Sequence, residues 1–289
     1  MPTKQPSSPD EYKYVATEFG NIAYREAGSG PPVILVHGVL LNGHLWDRLI
    51  ERLADVRRCI AIDILAHGAT GAGSDQDLSF DAQAGMLAAF CTAMKFEKVD
   101  VVANDSGGGI VQIFAARHPG RIRSLALTDC DTHDNWPPKQ AEPLHRLAME
   151  GGLGAVGRRM LEDVAFARAS FGAGFERPDQ LSPEDFRTWL EPLFKSPAST
   201  RNLERFIASF DNGQTVAVEP LLRKLEAPAL IVWGTADVFF PMKWAYWLRD
   251  TIPGAREVVE LEGAKLFLPW ERPVELAAAL RNFWGIELN

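Results

Sequence analysis

The segment Val99-Asp-Val-Val-Ala-Asn-Asp-Ser-Gly-Gly-Gly-Ile110 constrains this chain more than any other. An apolar, β-branched run enters a glycine-rich turn, and the turn opens a helical stretch ending at Arg117-His118-Pro119. A strand–turn–helix this tight needs small residues where two backbones approach, and it holds one residue in a strained conformation at the tip. Two registers fit. Ala103-Asn-Asp-Ser-Gly107 places Asp105 at the tip; Asn104-Asp-Ser-Gly-Gly108 places Ser106 there, but puts Asn where a small side chain belongs. The first also gives Gly108 its place on the helix, and it is favoured. A simple helix cap by Asp105 leaves the glycine run unexplained.

The same rhythm runs through the first half of the chain. Short apolar runs at 14–17, 22–25, 33–36, 59–64, 99–103 and 124–127 alternate with amphipathic stretches at 44–54, 79–94 and 107–118. Several runs are continuously apolar, as expected of strands covered on both faces. Strand, helix, strand predicts a mainly parallel sheet with right-handed crossovers. From Asp131 to Glu219 the strand runs disappear and helical patterns follow at 142–150, 153–166, 183–194 and 200–210. The alternation then resumes, with strands at 229–233 and 257–261 and helices at 242–251 and 273–284. The expectation is an α/β core formed by residues 1–130 and 220–289, with a helical cap at 131–219 inserted between two strands. An insertion of that length is too long for a plain loop and usually serves function.

Composition narrows the partners. The chain has 289 residues, 46% hydrophobic and 24% charged, with 30 basic against 38 acidic residues and a formal net charge of −8. No basic run offers phosphates a counter-charge, so nucleic acid is not expected as a partner. The opening Met1–Asp10 lacks the apolar stretch of a signal peptide or anchor, and no run approaches the ~20 residues of a membrane span. Cys59, Cys91 and Cys130 are too few and too scattered for a disulfide framework and read as small buried hydrophobes, consistent with a cytoplasmic protein. No phosphate loop, dinucleotide fingerprint or metal-ligand helix motif is present, so neither cofactor nor metal is expected.

Four segments together carry a resemblance: Val33-Ile-Leu-Val-His-Gly38, Ile62-Asp-Ile-Leu-Ala-His-Gly68, Ala103-Asn-Asp-Ser-Gly-Gly108 and Ile231-Val-Trp-Gly-Thr-Ala-Asp237. From Tyr12 to Trp284 the chain resembles α/β-hydrolase-fold proteins. Asp rather than Ser at the elbow resembles the haloalkane dehalogenase and epoxide hydrolase branch. The resemblance implies that Asp105 is a nucleophile and that the backbone N–H groups of Val39 and Ser106 form an oxyanion hole. It implies that Asp237, or alternatively Asp129 or Asp131, is the acid that orients a histidine. His37, Trp136, Phe239 and Leu266 are expected around the pocket, His37 mainly as a brace for its turn.

One departure decides the chemistry. The family histidine follows the last strand in a pattern like Gly-Ala-Gly-His-Phe, and this chain reads Gly263-Ala-Lys-Leu-Phe267. Leu266 stands where the histidine belongs, and no histidine follows His145. The halide-holding indole and amide of dehalogenases are replaced by Ser106 and Val39, and all four tyrosines (Tyr12, Tyr14, Tyr24, Tyr246) lie outside the insertion. Three readings follow. The first is a hydrolase of a small, mostly apolar substrate through Asp105, attacking a carbon–halogen, epoxide or ester-type bond with a relocated base, His133 or Asp237. The second is a non-hydrolytic enzyme in which Asp105 is a general base. The third is a binding protein on a degenerate scaffold.

Overall fold

The computed structural model describes residues 11–286. The opening decapeptide and the extreme ends of the expected core segments lie outside the described residues. All eight expected strands form: β1 Lys13–Thr17, β2 Gly20–Ala27, β3 Pro32–Val36, β4 Arg58–Ile62, β5 Val99–Asp105, β6 Ile122–Cys130, β7 Ala229–Gly234 and β8 Ala255–Leu261. They make one sheet in the order β1-β2-β4-β3-β5-β6-β7-β8. β1, β2 and β4 pair antiparallel; every pairing from β4 across to β8 is parallel. The continuous apolar runs occupy the middle, where β5 and β7 are buried throughout, because helices cover both faces.

Helices α1 Asp47–Leu53, α2 Phe80–Ala93 and α3 Ser106–Arg117 supply the first crossovers, and α3 is buried along its whole length except at Arg117. Burial of β5 takes Asp100 with it, and a buried carboxylate must be paired. Asp100 accepts from Arg57 at 3.0 Å, Arg123 at 3.2 Å and Ser124 at 2.7 Å. The three cysteines are free and buried, as their apolar surroundings suggested.

Between β6 and β7 lie α4 Glu142–Met149, α5 Leu153–Glu162, α6 Val164–Phe171, α7 Pro183–Phe194, α8 Pro197–Ala208, α9 Gly213–Ala217 and α10 Glu219–Leu222. The sequence pattern at 153–166 predicts one helix; the structure has two. Asp163 leaves helical conformation (φ −125°, ψ 97°), and its carboxylate accepts from the N–H groups of Ala165 and Phe166. An Asp that caps a new helix competes with continuing the old one, which periodicity alone does not register. After β7 come α11 Lys243–Thr251, α12 Leu268–Glu271 and α13 Pro273–Phe283. Among the described residues no helix is long and apolar enough to cross a membrane.

Candidate active site

The tip of the turn between β5 and α3 is Asp105, with φ 56° and ψ −134°. Its side chain is 5% exposed. Ser106 is already the first residue of α3. The surrounding glycines are required by contact. A Cβ on Gly107 would lie 2.4 Å from the Val36 carbonyl oxygen, and one on Gly108 would lie 2.2 Å from Cys130 Cβ. Gly38, in the turn after β3, answers to the carboxyl itself, since a Cβ there would lie 2.3 Å from Asp105 Oδ2. The turn is therefore built to receive that side chain.

Asn104, which the sequence made awkward, has a clear task. Its Nδ2 donates to the Leu266 carbonyl at 2.9 Å and to the Thr128 carbonyl and hydroxyl at 3.1 Å each. It ties β5 to β6 and fixes the loop that presents Leu266. Sequence reasoning did not assign Asn104 a positioning part; an amide at a place that favours small residues was the available signal.

Asp105, Ser106, Val39, Asp131, Phe239 and Leu266 line one cavity of about 240 Å³. Its roof is apolar and comes from the inserted helices, including Met160 of α5, Phe171 of α6 and Ile207 of α8. The backbone N–H groups of Val39 and Ser106 both bond the Asp105 carboxyl and favour its ionised form, but burial outweighs them. Burial, with the charge of Asp237 adding to it, pushes Asp105 up to about 7.

Three further buried carboxyls stand near: Asp129, Asp131 and Asp237. Asp129 Oδ1 accepts from Gly234 N–H at 2.9 Å and Asp237 Oδ1 from Phe239 N–H at 2.8 Å. Their Oδ2 atoms find no protein donor. The two carboxyls act on each other electrostatically. Burial raises Asp129, and the charge of Asp237 adds to it. Burial is the larger influence on both, and Asp237 is pushed up to about 7. Among the described residues no cluster of His, Cys, Asp and Glu has the arrangement to hold a metal ion.

Four expected site residues do not line the cavity: Asp237, described above, and His133, Trp136 and His37. His133 does not line the cavity. Its Nε2 pairs with Glu219 at 2.9 Å and its ring packs 4.8 Å from that of Trp247. An acidic partner from α10 and an aromatic neighbour from α11 hold it, so proximity in sequence to Asp131 misled. Trp136 is fully buried against Phe80, ring centroids 3.8 Å apart, and contributes no wall to the cavity. His37 also lies outside the lining: Nδ1 bonds the Gly38 carbonyl at 2.8 Å and Nε2 accepts from Ile64 N–H at 3.2 Å. With both nitrogens engaged and burial pushing it down to about 3, it braces the turn as a neutral ring.

A parallel α/β sheet with a strained residue between strand and helix, and backbone donors beside it, defines the class of hydrolase-fold proteins. The sequence model of the α/β hydrolase fold family matches residues 31–271, and the chain belongs to that family. Haloalkane dehalogenase 2 of Mycobacterium tuberculosis is 29% identical over 290 residues, spanning 96% of each chain. A pimeloyl-[acyl-carrier protein] methyl ester esterase of Chromobacterium violaceum is 28% identical over 240 residues, 81% of this chain and 87% of its own. The solved haloalkane dehalogenase of Bradyrhizobium elkanii shares the fold with a TM-score of 0.78–0.79 at 21% identity, covering 95% of this chain and 97–98% of its own.

Proposed function

We propose that this hydrolase-family protein uses Asp105 as a nucleophile on a small, mostly apolar molecule carrying a leaving group: a carbon–halogen, epoxide or ester-type bond. The observation that carries the reading is the placement of one strained carboxyl, flanked by the Val39 and Ser106 N–H groups, at the floor of an apolar cavity. On saturated carbon, Asp105 displaces the leaving group and becomes an ester. The two N–H groups then stabilise the oxyanion when water attacks that ester. The expected segment 131–219 acts as a cap over the core segments 1–130 and 220–289, and its helices supply the apolar roof that excludes water.

Leu266 is taken to stand in the usual histidine position, leaving the Asp129–Asp237 pair without a ring to orient. Dehalogenases and an esterase among the relatives favour bond hydrolysis over pure ligand binding. An Asp105 poised near 7 also suits a general base, the second reading. Product assays with n-butyl bromide and p-nitrophenyl acetate test the assignment. Asp105→Asn is expected to abolish turnover of whichever is a substrate. Ser106→Ala, which keeps the backbone donor, is expected to retain activity within about tenfold, far above the loss of about 100-fold or more for a deleted oxyanion donor. Full activity in Asp105→Asn contradicts the reading.

A further inference from the structure

Building on Asp105 as nucleophile, we propose that Asp131 is the second catalytic carboxyl, the base that activates water against the Asp105 ester in place of a histidine. Asp131 follows β6, is 1% exposed, and lines the same cavity as Asp105. Its Oδ1 has no hydrogen-bond partner in the protein. Its own N–H donates to the Asp105 carbonyl at 3.3 Å, so the two backbones are adjacent. Gln112 of α3 donates to the Asp131 carbonyl at 2.7 Å and fixes the loop from the other side. The remaining candidates stand apart from the cavity: Asp129 and Asp237 do not line it, and His133 is paired with Glu219.

The groups acting on Asp131 are Asp105 from β5, Ser106 from α3 and Cys130 at the end of β6. Burial, then the Asp105 charge, holds Asp131 well above the usual carboxylate range, and the Ser106 hydroxyl opposes this only in part. In the proposed cycle Asp105 and Asp131 begin with one proton between them, and Asp105 is ionised for attack. Asp105 attacks carbon, the carbon–leaving-group bond breaks, and the leaving group departs with its electron pair. Esterification removes the Asp105 charge, the second of the two causes that hold Asp131 up, and the Asp131 proton passes to solvent. Asp131 then takes a proton from water as the water oxygen bonds to the ester carbonyl carbon. Collapse breaks the bond from that carbon to the alkoxide oxygen, and the alkoxide takes the proton from Asp131. The proton remaining from water stays on the pair, which ends as it began.

The test is rapid-quench analysis with n-butyl bromide, following bromide release, butanol release and the mass of the protein. In Asp131→Asn the first equivalent of bromide is expected at close to the wild-type rate. Butanol release should fall about 100- to 10,000-fold, the usual contribution of a general base. A butyl ester should accumulate on Asp105, and Asp131→Glu should recover part of the loss. A burst of bromide also shows that the variant folds with a working cavity. Normal butanol release by Asp131→Asn without accumulated ester overturns Asp131 alone, and Asp105 stands. Bromide release at the wild-type rate by Asp105→Asn overturns both assignments.

Discussion

Leu266→His is expected to accelerate hydrolysis of the Asp105 ester by about 100- to 10,000-fold over a protein lacking Asp131, the scale of a positioned general base. Leu266 lines the cavity with Asp105, and its backbone is pinned by Asn104, so a side chain there projects from a fixed point. Asp237 and Asp129 offer carboxyl oxygens with no protein donor, suited to accept the N–H of an imidazole. The ring would be cationic in the transition state, and the surrounding carboxyls favour that charge. The gain should therefore require Asp237: adding Asp237→Asn to Leu266→His should remove most of it. Single-turnover butanol release from the Asp131→Asn background, with and without Leu266→His, measures the effect. No gain would mean that residue 266 does not occupy the place from which a base reaches the ester.

The second large effect is on stability. Asp105 is raised from its ordinary 3.8 to about 7, first by burial and then by Asp237. Between those values the folded state binds more protons than the unfolded state, so stability falls as pH rises through that window. Above 7 the folded protein carries the full cost of an ionised, buried carboxylate. Asp105→Asn removes the ionisation while keeping an oxygen for the Val39 and Ser106 N–H groups, and Asn tolerates the positive φ. At pH 8 the variant should be more stable by about 2–4 kcal/mol, and near pH 4, where wild-type Asp105 is protonated, the difference should vanish. His37, lowered to about 3, and His67, lowered to about 4, act in the opposite sense, and their contribution is lost as pH falls below their unfolded values. Both histidines are present in both proteins, so they cancel in the difference. Urea midpoints at the two pH values decide it; an equal gain at both would show that Asp105 is not held in its neutral form by the fold.

The architecture was readable because each sheet strand is a short apolar run flanked by helical spacing, a pattern set by burial on both faces. The turn at Asp105 was readable for a local reason: Gly107, Gly108 and Gly38 are forced by contacts under 2.5 Å, and such contacts leave glycine in the sequence. The misplacements have a common origin in distance along the chain. His133 is two residues from Asp131, yet Glu219 from a segment 86 positions further on claims its ring. Trp136 stacks on Phe80 from α2, a pairing no local pattern encodes. Asn104 was puzzling until its amide met the carbonyl of Leu266, a residue 162 positions away. Asp131 stood in the sequence as one of several aspartates at the end of β6; only the fold separates it, in the cavity, from Asp129, bonded to Gly234.

The central claim is that a covalent bond forms at Asp105, and isotope placement during one turnover tests it most directly. The wild-type protein, in excess over n-butyl bromide, is allowed to turn over once in oxygen-18 water, and both the alcohol and the peptide containing Asp105 are weighed. Covalent catalysis predicts unlabelled butanol, its oxygen drawn from Asp105, and one heavy oxygen in the Asp105 carboxyl. Heavy oxygen in the butanol with an unlabelled Asp105 peptide would mean that water attacks the substrate directly, and the nucleophile assignment would be wrong.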